Sequence, residues 1–165
     1  MDNSAFVIKI KEVPTSMRLH EILYELRAYT TILGIFVTHD YKEKIRGNDI
    51  FITIISPVEY KTIKLRKQVK ICNSLYNIEI QNWIYMSADR KVEKKDANPL
   101  YFHDGPATLY VKNLNPTYKT TTRTLMNFVK TFEDQYKYQI IGGTLLFNRK
   151  KEITFNYGFI SWYAF

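Results

Sequence analysis

The stretch that decides the fold lies near the end of the chain, where residues 155–165 read FNYGFISWYAF. Successive side chains of a β-strand point to opposite faces of a sheet, so Gly158 and Ile160 share one face of such a strand. Tyr157 and Phe159 share the other face. The alternation predicts a strand that packs on one side and carries two aromatic rings on the other. A strand buried on both sides would give the same pattern, so the rest of the chain has to decide.

A pattern of strand, helix, strand and strand occurs twice along the chain. The first repeat begins with FVIKIKEVP (residues 6–14), in which apolar side chains alternate with lysines as in a half-buried strand. It continues with a helix, a strand, a charged loop at 41–48, another strand, a second helix capped by Ser56 and a last strand. The second repeat begins with TLYVKNLNP (residues 108–116) and ends with the strand quoted above. It therefore lacks the last helix and strand of the first repeat.

The first helix of each repeat has one apolar stripe with the spacing i, i+3, i+4, i+7 of an amphipathic helix. The stripes consist of Leu19, Ile22, Leu23 and Leu26 in the first repeat and of Leu125, Phe128, Val129 and Phe132 in the second. We expect Thr15 or Ser16 to cap the first of these helices, and Gly142 and Gly143 to mark a bulge or bend in a strand. The second stripe has no following helix to cover it, and one sheet edge should be unpaired. We therefore expect either a longer protein or completion of the second repeat by another segment.

Two segments of the second repeat resemble the sequence motifs of the RNA-recognition motif family. LYVKNL (Leu109–Leu114) is similar to the hexamer on the family's first strand, and FNYGFISW (Phe155–Trp162) is similar to the octamer on its third strand. The resemblance implies an α+β protein with the ferredoxin-like order β-α-β-β-α-β. It also implies a tandem organisation, with a first motif at residues 4–86, a linker at 87–106 and a partial second motif at 107–165.

The resemblance further implies that the sheet binds single-stranded RNA without catalysis. Aromatic rings on an open sheet face offer flat surfaces on which unpaired bases stack. The expected stacking rings are Tyr110, Tyr157 and Phe159, and the expected contacts to phosphates or base edges are Lys112, Arg149, Lys150 and Lys151. Phe155 and Asn156 stand where the octamer has a basic residue and a glycine, so affinity would depend more on stacking and on the loop at 149–151.

The first repeat matches the family motifs much less well. Lys9 stands where the hexamer has its stacking aromatic residue, Asp49 stands at the first aromatic position of the octamer, and Phe51 remains at the second. A carboxylate on the binding face repels phosphate. We therefore expect the first repeat to bind RNA weakly, through Lys9 and Phe51, or to contact a protein partner instead.

The composition favours a polyanionic partner, because 24 Lys and Arg residues oppose 16 Asp and Glu residues and the pI is near 9.4. Nucleic acid and an acidic lipid surface both fit this charge, but no stretch has the length of a membrane span. The N-terminus does not resemble a signal peptide, so we expect an intracellular protein, either nuclear or cytoplasmic. The single cysteine, Cys72, excludes an internal disulfide and is expected to pack in the interior.

Two other classes of function are an enzyme and a protein-interaction module. His20, His39 and His103 show no metal-binding spacing and no acidic partner at a useful interval, and no glycine-rich phosphate loop is present. We therefore expect no catalytic residue, no metal and no cofactor. A protein-interaction module that uses the sheet or helix surfaces is the main alternative. Salt dependence separates the two readings, because binding through phosphates weakens steeply as salt rises and an apolar peptide contact changes little.

Overall fold

The structure is a computed structural model, and it describes residues 6–40, 45–54, 56–84, 107–112, 120–136, 140–148 and 154–162. The first repeat consists of β1 (Phe6–Ile10), α1 (Leu19–Leu26), β2 (Ile32–Asp40), β3 (Ile45–Ile54), α2 (Pro57–Arg66), β4 (Gln68–Ile71) and β5 (Ser74–Ile84). The second repeat consists of β6 (Ala107–Lys112), α3 (Thr121–Tyr136), β7 (Ile140–Asn148) and β8 (Thr154–Trp162). The predicted linker at 87–106 lies outside the described residues.

All eight strands form one sheet in the order β4-β5-β1-β3-β2-β7-β8-β6, with antiparallel pairing throughout. Within it the first repeat has the order β5-β1-β3-β2, which is the arrangement of two interleaved β-α-β units. The second repeat has the corresponding order β7-β8-β6. The predicted α+β class and ferredoxin-like element order are therefore confirmed. Among the described strands, β6 forms one end of the sheet.

The helices identify which face of the sheet is the core. The ring of Phe6 on β1 stacks on the ring of Tyr60 on α2, with centroids 4.2 Å apart. Alternation along the strands and pairing across them place a set of buried side chains on the same face as Phe6, namely Ile8, Ile10, Ile35, Ile50, Ile52 and Ile54. The opposite face is called the open face below.

Both predicted helix stripes are confirmed as core. The buried members are Leu19, Ile22, Leu23, Leu26, Leu125, Phe128 and Val129, and Phe132 packs against them. The predicted cap of α2 is also confirmed, because the hydroxyl oxygen of Ser56 accepts a hydrogen bond from the N–H of Glu59 at 3.2 Å. The predicted cap of α1 is wrong, since Arg18 occupies the N-cap position rather than Thr15 or Ser16.

Two strand assignments differ from the sequence prediction. Strand β3 already begins at Ile45, so residues 45–48 extend the hairpin with β2 instead of belonging to a loop. Strand β4 was missed. It pairs with β5 across a two-residue turn in which Cys72 and Asn73 have φ angles of 48° and 68°, the left-handed values that tight hairpins require. Cys72 is exposed at this turn, so the prediction that it packs in the interior is wrong.

Strands β2 and β7 join the two repeats. The paired positions are Gly34 with Thr144, Ile35 with Gly143 and Phe36 with Gly142. A Cβ atom at position 142 would lie 2.6 Å from Cδ1 of Phe36 and would also collide with the carbonyl oxygen of Ile35, so this close approach requires glycine. The register shift just before Gly142 confirms the predicted bulge.

The helices join the repeats a second time, through Glu133 of α3. Its buried carboxylate accepts hydrogen bonds from the backbone N–H groups of Leu19 and His20, each at 2.8 Å, and lies 2.8 Å from Nδ1 of His20. These N–H groups belong to the first turn of α1 and have no partner within the helix, so an acceptor from outside is needed there. Beside this contact, Arg18 donates to Asp134 at 2.6 Å, and this hydrogen bond lowers the pKa of Asp134.

These contacts correct two expectations. Helix α1 packs against α3, so the apolar stripe of the second repeat does have a neighbour, and the first repeat supplies it. His20 does have an acidic partner, although Glu133 is 113 residues away in sequence. Neither relation is visible from local spacing, because each depends on how the two repeats dock.

Replacing Glu133 with alanine is expected to lower the free energy of unfolding by roughly 2 kcal/mol, because hydrogen bonds to a charged group are lost and the buried N–H of Leu19 and the part-buried N–H of His20 lose their acceptor. Urea denaturation followed by circular dichroism measures the change. The matched control is Asp134→Ala at the next residue, which removes only an exposed ion pair and should have a much smaller effect. Equal losses for the two variants would contradict the role assigned to the buried carboxylate.

Candidate nucleic-acid interface

The two strands that carry the family-like motifs are direct neighbours in the sheet. Backbone pairing of β6 with β8 places position 110 opposite 159 and position 112 opposite 157. Directly opposed residues of an antiparallel pair lie on the same face, and so do residues two apart along a strand. The positions of Tyr110, Lys112, Tyr157 and Phe159 therefore share one face. Position 159 is also paired with Thr144 on β7, which connects this face to the rest of the sheet.

This shared face is the open face. Thr144 is paired with Gly34, and Gly34 with Thr53. Thr53 lies between Ile52 and Ile54 along β3, and both of these isoleucines are on the helix-covered side, so Thr53 is on the open side. A cross-strand row of positions thus runs from the first repeat to the motifs of the second without leaving the open face.

A second row contains the two site residues predicted in the first repeat. Lys9 is paired with Phe51, Phe51 with Phe36, and Phe36 with Gly142 of the second repeat. Lys9 and Phe51 therefore lie on the open face. The structure brings the first-repeat and second-repeat candidates to the same side of one sheet.

The open face of the first repeat is largely buried in this structure. Phe51 is 5% exposed and Phe36 is 1% exposed. Thr53 is also buried, and its hydroxyl has no hydrogen-bond partner among the residues that the structure describes. A base could stack on Phe51 only after the groups that bury it move away, and no local sequence pattern indicates this condition.

Lys9 is engaged by its neighbours on the same face. Its Nζ atom lies 3.8 Å from a carboxylate oxygen of Asp49 and 5.9 Å from the centroid of the Phe51 ring. Asp49 also accepts a hydrogen bond from the N–H of Glu12 at 3.1 Å. The carboxylate that was expected to repel phosphate is thus partly balanced by the lysine, and the lysine is correspondingly less available to a ligand.

The remaining site predictions fall in different parts of the chain. For Tyr110, Lys112, Tyr157 and Phe159, the backbone register places the four positions on one face of the sheet. The loop residues Arg149, Lys150 and Lys151 lie outside the described residues. The roles of all seven remain predictions.

The helix-covered side carries a separate groove between α1, α3 and the β4–β5 turn. It has a volume of about 460 Å³, and its lining includes Tyr24, Met126 and Cys72. The N–H of Cys72 donates to Oε1 of Glu25 at 2.8 Å. A hydrogen bond between the thiol and Glu25 raises the pKa of Cys72, and burial and the negative charges of Glu25 and Glu21 raise it further.

No group of three or more His, Cys, Asp or Glu side chains in the described part of the chain could hold a metal ion. None of the described helices has the length and apolar character needed to cross a membrane.

Comparison with known proteins gives matches among solved structures. The chain resembles tandem RNA-recognition-motif proteins. RNA recognition domains 1 and 2 of Sex-lethal from Drosophila melanogaster match 96% of this chain and 86% of theirs, with 17% identity and a TM-score of 0.36. The first two RRM domains of yeast poly(U) binding protein (Pub1) match 96% of this chain and 83% of theirs, with 14% identity and a TM-score of 0.35.

A third similar structure is the RNA binding domain of Hrp1 in complex with RNA, which matches 94% of this chain and 79% of its own, with 12% identity and a TM-score of 0.38. No family model matches the sequence, and no curated protein matches it significantly. The fold assignment therefore rests on the strand order and register of this chain itself.

Cys72 is expected to react slowly with Ellman's reagent near neutral pH although it is exposed, because the thiolate is the nucleophile and a raised pKa lowers its fraction. The rate should increase as the pH rises through the pKa of the thiol. The variant Glu25→Gln removes the negative charge beside the sulfur and should accelerate the reaction at pH 7.5. Since the chain contains one cysteine, the signal has one source. Equal rates in the native chain and the variant would contradict the assigned cause.

Proposed function

We propose that this chain binds single-stranded RNA on the open face of its sheet, chiefly through the second repeat. The backbone register carries the proposal, because it sets positions 110, 112, 157 and 159 side by side on two neighbouring strands. Two tyrosines, a phenylalanine and a lysine at these positions have the chemistry of a surface that stacks unpaired bases and contacts phosphate.

Each expected contact has a distinct physical role. Tyr110, Tyr157 and Phe159 offer rings on which bases stack, with roughly 1 to 3 kcal/mol for each stacked base. Lys112 and the loop residues Arg149, Lys150 and Lys151 contribute positive charge for phosphates or base edges. Such contacts release counterions, so the affinity should fall steeply with rising salt.

The first repeat has a smaller part in this proposal. The near-complete burial of Phe51 and the pairing of Lys9 with Asp49 both favour weak RNA contact or a protein partner for that repeat. A protein-interaction role for its sheet or helix surfaces is therefore the second candidate function.

The first experiment measures binding of a randomised single-stranded RNA pool to the chain at low and moderate salt, with duplex RNA as competitor. Salt-sensitive binding that duplex RNA does not displace supports the proposal. A folded chain that binds no single-stranded RNA contradicts it.

The double substitution Tyr157→Ala and Phe159→Ala is expected to weaken RNA binding by about tenfold or more, because each lost stack is worth roughly 1 kcal/mol or above. Fluorescence anisotropy with a labelled RNA from the selected pool measures the change. Tyr24→Ala is the matched control, since its ring is 51% exposed but belongs to α1 on the other side of the sheet. An unchanged affinity in a folded double variant would exclude the second repeat as the stacking surface.

A further inference from the structure

Helix α2 exposes apolar side chains to an unusual extent. Val58 is 73% exposed and Leu65 is 82% exposed. Seven residues are almost two full helical turns, so these two side chains lie on one stripe, with Thr62 between them. Ile63 is the buried residue of this helix. Helices α1 and α3 instead turn their apolar stripes toward the core, so the exposed stripe is particular to α2.

Positive charge borders this stripe. Lys61 and Lys64 lie along one side of it, as their spacing on the helix dictates. Arg66 lies on the other side, with its guanidinium 4.9 Å from the centroid of the Tyr29 ring. Lys67 and Lys70 follow at the end of α2 and on β4, and all five basic residues are exposed. None of the five forms an ion pair with a carboxylate among the described residues.

The acidic residue of α2 does not offset this charge at the stripe. Glu59 lies on the same side of the helix as Arg66, but its carboxylate is directed toward the residues that precede β2. There it accepts a hydrogen bond from the hydroxyl of Thr30 at 3.0 Å and another from the N–H of Thr31. The exposed surface of α2 therefore combines an apolar centre with a positively charged border.

We propose that this face of α2 docks an acidic amphipathic helix of a partner protein. Apolar side chains of the partner would cover Val58 and Leu65, and its carboxylates would face Lys61 and Lys64. The phosphates of RNA could contact the positive border, but they would make no favourable contact with two exposed aliphatic side chains. The apolar stripe therefore favours a protein partner over RNA. Because α2 lies on the helix-covered side, this surface does not overlap the open face, and both can be occupied at once.

The probe for this proposal is a labelled, end-capped helical peptide of about four turns, with leucines spaced i, i+4, i+7 and glutamates beside them. Fluorescence anisotropy with the full chain at moderate salt is expected to show saturable binding. Leu65→Ser should weaken binding about tenfold, since a central apolar contact is lost while the charge is unchanged. Leu75→Ser is the matched control, because this leucine is 64% exposed but lies on β5, and it should leave binding unchanged.

Charge exchange provides the second arm. The double substitution Lys61→Glu and Lys64→Glu should abolish binding of the glutamate peptide and permit binding of a peptide with lysines in place of the glutamates. If Leu65→Ser binds the glutamate peptide as tightly as the native chain does, the peptide is held by charge attraction alone and the proposal is overturned. Absence of binding to the native chain, or displacement of the peptide by single-stranded RNA, would overturn it as well. The affinity of Leu65→Ser for RNA should equal that of the native chain. The peptide experiment and the RNA experiment can therefore fail independently of each other.

Discussion

The pairing of β2 with β7 is the constraint on which the arrangement of the two repeats depends. It requires two glycines, because a side chain at position 34 would meet the hydroxyl groups of Thr144 and Thr53, and one at 142 would meet Phe36. The helix layer supports the same arrangement through Glu133 at the start of α1. A further contact joins the layers, since the hydroxyl of Thr122 on α3 accepts a hydrogen bond from the N–H of Ile32 at 2.9 Å. The contacts in the sheet and those between the helices therefore hold the two repeats in the same relative orientation.

This orientation decides how the open face can be used. Two separate sheets joined by a tether could present their faces in many directions, whereas here the pairing rows continue from one repeat to the other. Strands β3 and β8 are three strand spacings apart, or about 14 Å. Phe51 and Phe159 belong to neighbouring rows on these strands, so the candidate residues of the two repeats are at a distance that one short single strand could bridge. The ring of Phe51 in the first repeat is buried.

Local sequence patterns predicted those parts of the fold that local interactions determine. The stripes of α1 and α3, the cap at Ser56 and the bulge at Gly142 all follow from spacing or residue type within one segment. Strand β4 was missed because its four residues follow the charged end of α2 directly. Glu133 was not recognised because an acidic residue on a helix usually faces solvent, and its partners at the start of α1 are found only when the repeats dock.

For the candidate site, too, local sequence patterns predicted only what a single segment determines. Alternation within a strand was enough to place positions 157 and 159 on one face, and the resemblance to the family motifs implied that β6 lies beside β8. Alternation says nothing about what else lies over a face, so the burial of Phe51 and the engagement of Lys9 by Asp49 could not be predicted. Both follow from contacts between segments that are distant in sequence.

The contact between β2 and β7 also affects how the chain folds. Thr144 and Leu33, which meet at this contact, are 111 residues apart in sequence. Contacts between residues so far apart form slowly, because the entropy of closing a long loop has to be lost before the contact is made. Until β2 and β7 pair with each other, both are open sheet edges. Open edges readily pair with strands of other molecules, which leads to domain swapping or aggregation. The same backbone groups that unite the repeats in the folded chain are therefore available for pairing with other chains before the two repeats dock.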